Sequence, residues 1–313
     1  MVSRRALTMV GLGIFLLGCR PATPPPPPSN QTQVKSTQVI EATSLPANPT
    51  AVPQEAKDVL NAGYQLGATD ALQVVQLTNG KYEQGTSGGA DSVSVAVSDL
   101  VAVGDLNADG SNDVAALVSE NYGGSGVFVF LAVYANENGK LTFQNSTMVD
   151  DRPQLNALSI GSGEIYLDAV IHGTDDPMCC PTLRTTRHYR LTDGQLDMAD
   201  YTTFTPDAKP RTITIEAPAN GTEVFTSVPV KGKVAIAPFE NNLAYRIYDI
   251  SGIELSAGPV SVSAGNPGGA GTFDALIPLG DILSGTLIKI EVQDLSARDG
   301  SLLGMDSVEL VVK

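Results

Sequence analysis

The sequence predicts a mainly β protein, with an antiparallel β domain over residues 54–205 that opens on a short helix, and a second β domain over residues 210–313. Three observations predict it. The chain carries 31 Gly and 20 Pro, a proportion that suits turn-rich β structure better than long helices. Short stretches rich in Val, Ile, Thr and Tyr recur between Gly, Asn and Asp turns, as strands require. Apolar residues make up 42% of the chain, yet aromatics are only 5% and Trp is absent, so the cores are built from Val, Ile, Leu and Ala. A length of 313 residues allows about two domains, each large enough to bury a core.

The N-terminus reads as an export signal over residues 1–18. Arg4 and Arg5 form a positive start, and Ala6 to Gly18 is an apolar stretch of 13 residues. That length fits the roughly 7–15-residue core of a secretory signal and falls short of the ~20 residues that span a bilayer as a helix. The stretch ends in Leu16-Leu17-Gly18-Cys19, which resembles the lipobox of bacterial lipoproteins. The resemblance implies that Cys19 is lipidated and becomes the first residue of an exported protein, anchored to the cell membrane or the outer membrane and facing away from the cytoplasm.

Residues 19–53 form a tether. Five prolines, Pro24 to Pro28, are followed by Ser, Thr, Gln, Asn and further Pro, a composition that cannot bury enough apolar surface to fold and that favours extended backbone. A coil of this length spans roughly 30 Å, more where proline stiffens it. The partner expected at this end is the membrane, held through the lipid.

In residues 54–205, Gln54 to Ala62 suits a short helix. Strands are expected at Leu72–Leu77, Ser92–Val97, Val114–Val118, Val127–Tyr134, Glu164–Ile171 and Arg187–Leu191, with hairpin turns at Asn138-Gly139 and Asp193-Gly194. Within this region lies Asp105-Leu106-Asn107-Ala108-Asp109-Gly110-Ser111-Asn112-Asp113. Side-chain oxygens of Asp105, Asn107 and Asp109, with Ser111 and Asp113 at the next two ligand positions, can converge on one calcium ion, and Gly110 permits the sharp turn. The loop resembles the calcium loops of EF-hand-like and integrin-type β-propeller repeats. It departs from the first because Ala116 stands where a bidentate Glu is needed, and from the second because one copy is present where a propeller needs several. Two readings therefore stand, an isolated calcium loop and a metal-free Asx/Gly turn.

With Cys19 committed to lipid, Cys179 and Cys180 are the remaining thiols, and an oxidising compartment would allow them to form a vicinal disulfide. His172, Asp175 and His188 add potential zinc ligands, but at no familiar spacing. A structural loop is the favoured reading. Segments of Val103 to Leu191, including GDLNADG and GTDDPMCCPT, resemble an uncharacterised module of bacterial exported proteins, which implies no activity.

Residues 210–313 alternate at Thr212–Glu216 and supply further strands at Val228–Ile236, Leu243–Asp249, Ile253–Ser256, Gly271–Ile277, Leu287–Asp294 and Ser307–Val312, the number and spacing of a Greek-key sandwich. The phrases ITIEAPANGTEV, VPVKGKV, FENNLAYRIYDISGIEL, GTFDALIPL and IKIEVQDLSARDGS resemble the immunoglobulin-like domain of bacterial spore germination proteins. The resemblance implies an extracytoplasmic β-sandwich that contacts an envelope protein or polysaccharide.

Nucleic acid is excluded as a partner by a net charge of −15, since phosphate binding needs a cationic face. No catalytic residues are assigned. Gly85-Thr86-Ser87-Gly88-Gly89 matches G-x-S-x-G without the strand–turn–helix setting of a nucleophile elbow. The expectation is a non-enzymatic envelope lipoprotein with calcium as its one potential cofactor. The alternative is a calcium-dependent hydrolase or redox-active protein using the region of Asp105–Asp113 and Cys179-Cys180.

Overall fold

The computed structural model describes residues 53–67, 73–86, 88–89 and 91–313. Residues 1–52, where the sequence leads one to expect the export signal, the lipidated Cys19 and all but the last residue of the tether, lie outside the described residues, as does Ser87. A five-residue helix α1 (Gln54–Asp58) runs into a 3-10 turn (Val59–Asn61), as the Gln54–Ala62 segment predicts. The strands of the first region are β1 (Gly63–Leu66), β2 (Gln73–Gln76), β3 (Lys81–Gln84), β4 (Val93–Gly104), β5 (Asp113–Asn121), β6 (Phe128–Glu137), β7 (Lys140–Asp151), β8 (Gln154–Gly161), β9 (Glu164–Ile171), β10 (Leu183–Thr192) and β11 (Gln195–Thr203). The second region contributes β12 (Ile213–Ala217), β13 (Thr222–Val224), β14 (Ser227–Val234), β15 (Asn242–Asp249), β16 (Glu254–Ala264), β17 (Gly271–Pro278), β18 (Leu287–Leu295) and β19 (Leu302–Val312). The protein is mainly β and antiparallel, and its C-terminal part is immunoglobulin-like.

Strands β3 to β7 form a meander, a five-stranded sheet in sequence order. Both of its faces are covered. Val114, Ala116, Val118, Phe130, Ala132 and Tyr134 pack against Val59, Tyr64, Leu66, Val75 and Leu77 of the layer formed by α1, β1 and β2. The intervening Ala115, Leu117, Val129, Leu131 and Val133 pack against Ile165, Leu167, Ala169 and Tyr189 of β9 and β10. A strand buried on both faces needs apolar residues at every position rather than every second one, which is why VAALV and FVFLAVYA read as unbroken apolar runs. The turn between β6 and β7 is Asn138-Gly139, with φ of 57° and 86°, and Asp193-Gly194 joins β10 to β11 with φ of 50° and 77°, the left-handed pair a tight hairpin demands.

A second sheet runs β12-β14-β17-β16-β15-β18-β19-β11-β10-β9-β8. Its first part folds over as the sandwich, because β16 is shared: Glu254–Ser261 pair with β15, and Val262–Ala264 pair with β17. Inside lie Val228, Val230, Leu243, Ile247, Phe273, Ile277, Ile288, Ile290, Val308 and Leu310. Here β14, β15 and β17 alternate, whereas β18 is buried at every position from Ile290 to Asp294. In β14, Val228, Val230, Gly232 and Val234 are buried while Pro229, Lys231 and Lys233 are exposed.

The two regions meet edge to edge. Asp200, Tyr201 and Thr202 of β11 pair with Asp306, Met305 and Gly304 of β19, while Leu310, Val311 and Val312 at the other end of β19 pair in parallel with β13. The Ser307 hydroxyl donates to the Ala199 carbonyl at 2.8 Å across the junction. The Pro-bounded link at Thr205 to Pro210, whose stiffness the sequence leaves open, is a closed turn: the Thr205 amide donates to the Lys209 carbonyl and the Arg211 amide to the Thr203 carbonyl, both at 2.9 Å.

Candidate functional site

The Asp105–Asp113 loop joins β4 to β5 as a hairpin connection with no flanking helices. Its two ends are anchored in the core. Leu106 is buried in the layer between the sheets, and the fully buried Asp113 accepts the Leu106 amide at 2.8 Å through Oδ2 and the Asn136 amide at 2.9 Å through Oδ1. Between them the polar residues form successive Asx turns. The Gly110 amide donates to Asp105 Oδ2 at 3.0 Å, the Asp109 amide to Asn107 Oδ1 at 3.0 Å, and the Ser111 amide to Asp109 Oδ1 at 2.6 Å. The bond from Ser111 is the main cause that holds the Asp109 carboxyl below its usual range. Asp105 Oδ1 is enclosed and makes no hydrogen bond.

This arrangement divides the five sequence candidates. Asp105, Asn107, Asp109 and Ser111 stand in one turn, with Asp105 Oδ1 as an oxygen that no donor serves. Asp113 is buried and acts as a post holding two backbone amides, one on each of its oxygens. Among the described residues, no three His, Cys, Asp or Glu side chains are grouped so as to hold a metal.

Cys179 and Cys180 are joined as a disulfide between neighbouring residues, and both are exposed, as is the adjacent Met178. Their loop follows β9 and is braced at its base. His172 gives its backbone amide to Asp150 Oδ2 at 2.6 Å and holds the same oxygen with Nδ1 at 2.9 Å, and this contact is the main cause that raises the imidazole's affinity for a proton. Asp176 accepts the Gly173 amide at 2.8 Å and the Thr182 amide at 2.7 Å. Asp175 forms an ion pair with Arg298 of the second region. The Asp105–Asp113 loop and the cysteine loop do not form one site. Gly163, just before β9, approaches the Leu106 carbonyl, whereas His172 lies just past the strand's far end, so the eight residues of β9 set them roughly 25 Å apart.

A third cluster was not foreseen from sequence. Glu164 Oε2 lies 3.0 Å from His188 Nδ1, and Arg190 Nε donates to Glu164 Oε1 at 2.7 Å. His188 is directly opposite Asp200 on β11, and Asp200 is directly opposite Asp306 on β19. These charges fall on one face only because of the strand register, and that register is long-range. The alternating letters of RHYR in β10 were the one local signal.

Residues 212–301 match the family model of the immunoglobulin-like domain of bacterial spore germination. No curated protein matches the chain. The C-terminal region is thus an immunoglobulin-like domain of the spore germination type, and its match ends one residue before β19 begins.

Proposed function

We propose that the chain is an exported lipoprotein, anchored through Cys19, whose folded part binds or bridges components of the cell envelope without catalysing a reaction. The observation that carries this reading is the match of residues 212–301 to an immunoglobulin-like domain, a sandwich whose sheet faces and end loops offer broad surfaces for contact. The surface of that domain supports it. Phe225, Phe239, Ile253, Leu276 and Leu283 are large apolar side chains left in solvent. A groove of about 550 Å³ opens between the β15–β16 turn and the 278–286 loop, lined by Leu255, Leu279, Ile282 and Leu283 with Asp249 and Asp281. Two of the residues that line it, Leu255 and Leu283, are exposed, and apolar side chains exposed together mark interaction surfaces more often than isolated ones do. The partner class is an envelope protein or polysaccharide. The test is fractionation of cells expressing the full chain or its Cys19→Ala variant, followed by co-sedimentation of the full chain and of Leu283→Glu with purified cell-wall polysaccharide and with envelope proteins. Membrane retention lost with Cys19, and sedimentation reduced by Leu283→Glu, are expected. A Cys19→Ala chain that stays on the membrane overturns the anchor, and a Leu283→Glu chain that sediments undiminished overturns the groove as the contact surface.

Calcium belongs to this reading as a cofactor that orders the β4–β5 loop through Asp105, Asn107, Asp109 and Ser111, with Asp113 fixing the loop's end through the Leu106 and Asn136 amides. Calcium at about 100 times its dissociation constant adds roughly 2.7 kcal/mol to stability. A thermal midpoint that rises with calcium in the full chain and does not rise in Asp105→Ala and Asp109→Ala supports the site. A midpoint that ignores calcium and chelator leaves a plain turn.

A second reading, redox activity at Cys179-Cys180, is favoured by the exposure of both cysteines. A dithiol reductant would open the bond to two thiols and itself close to a disulfide. Thiol labelling of the native chain before and after mild reduction separates the two: labelling that appears only after reduction supports the redox reading, and a pair that stays unlabelled overturns it.

A further inference from the structure

The junction of β11 and β19 carries two carboxylates side by side. Asp200 and Asp306 are directly opposed on neighbouring strands, and opposed side chains in an antiparallel pair stand about 5 Å apart at Cβ. Asp306 is already engaged. Its Oδ2 accepts the Ile215 amide of β12 at 2.6 Å and its Oδ1 accepts the Ser307 amide at 2.8 Å, so its charge ties the first strand of the sandwich across the seam. Asp200 makes no such backbone contact, and like charges directly opposite each other weaken a strand pair.

We propose that this seam is a pH-sensitive joint, in which a proton on Asp200 lets β11, β19 and the β12 segment held by Asp306 close together, and loss of that proton loosens them. The proton is the ligand, so the inference goes beyond the binding role proposed above and does not depend on it.

The surroundings set the direction. Burial is the main cause that pushes Asp200 up to about 7, and the Asp306 charge adds to it. Burial also raises Asp306, against the two amides that favour its charged form. His188 and Arg190 of β10 face Asp200 as cations, and Glu164 of β9 faces it as a further anion. Glu164 also raises His188, mainly through their hydrogen bond. From β12 the seam receives the Ile215 amide, while Glu216 is paired with Lys233 at 2.9 Å on the exposed side.

A carboxyl whose affinity for protons is higher when folded stabilises the folded state below its unfolded value, near 4, and that contribution is lost as pH rises through its folded value. For Asp200 the window runs from about 4 to about 7. His188 acts in the same direction, its contribution fading as pH climbs above its ordinary range. Glu164, held low mainly by His188, acts oppositely, and only as pH falls toward the acid range.

Amide hydrogen exchange in the full chain tests the joint. After correction for the intrinsic effect of pH, protection at Ile215 and at residues 200–202 is expected to fall about tenfold or more between pH 5 and pH 8. Asp200→Asn, which keeps the shape and removes the charge, is expected to hold its protection across that range. Glu216→Gln, on the same strand but outside the seam, should behave as the unaltered chain. Protection that does not change with pH in the unaltered chain overturns the proposal, and so does an Asp200→Asn variant that loses protection as steeply as the unaltered chain does.

Discussion

The five-stranded sheet and the C-terminal sandwich both bury β-strands, but they do so in different ways. In the sheet, a layer on each face leaves β5 and β6 with no polar side, so every residue from Val114 to Val118 is buried. In the sandwich the strands away from the junction turn one face inward, as β14 does in alternating between core valines and exposed lysines. The sheet therefore depends on apolar volume at every position. The sandwich depends on close fit along one face, where small residues sit opposite large ones. Gly232 is opposed to Phe273 and Gly258 to Tyr245, and in each pair the aromatic ring lies where a glycine Cβ would go.

The largest effect expected from this difference is at Leu117, which is fully buried between the two sheets. Leu117→Ala should cost about 2–5 kcal/mol, whereas Leu276→Ala, 69% exposed on the sandwich, should change stability by no more than about 0.5 kcal/mol. Chemical denaturation of both variants checks this, and equal losses would break the comparison. A smaller effect is expected at Gly232. A Cβ there would lie 2.1 Å from the Thr214 carbonyl oxygen and 2.4 Å from the Phe273 ring, so Gly232→Ala should cost about 1–3 kcal/mol through overpacking. A variant as stable as the unaltered chain would show that the close fit of the sandwich is adjustable. The smallest effect is at Lys231, whose 2.9 Å ion pair with Asp274 lies on the exposed face of the same strand. Lys231→Ala should shift the denaturation midpoint by an amount equivalent to about 0–1 kcal/mol, and a larger loss would mean that the exposed face also carries load.

The same difference explains what the sequence made legible. The alternating strands of the sandwich and the continuous apolar runs of β5 and β6 stand out in the letters, as do the Asn138-Gly139 and Asp193-Gly194 turns. Strands β7, β8 and β11 do not. KLTFQNSTMVDD and QLNALSIG form edges of their sheets, where one side needs no partner and polar residues are tolerated. QLDMADYTT is an interior strand, but one of its faces carries the Asp200 row, which breaks the apolar pattern. The Asp105–Asp113 motif was legible as a turn. The separate duty of Asp113 was not, because the Asn136 amide it holds arrives from another strand. The distance between that loop and the cysteine pair likewise follows from β9, whose place between them no local spacing reveals.

Strand β19 has an implication for how this molecule can be divided. It begins immediately beyond the end of the family match at residue 301, yet it pairs with β18 along its length and with β11 and β13 on its other side. A boundary drawn where the likeness stops would strip the sandwich of the strand that closes its core and strip the first region of its lateral neighbour. Ownership of β19 is joint. Cutting the chain at residue 301 is expected to leave two open sheet edges, at β18 and at β11, in place of one shared strand.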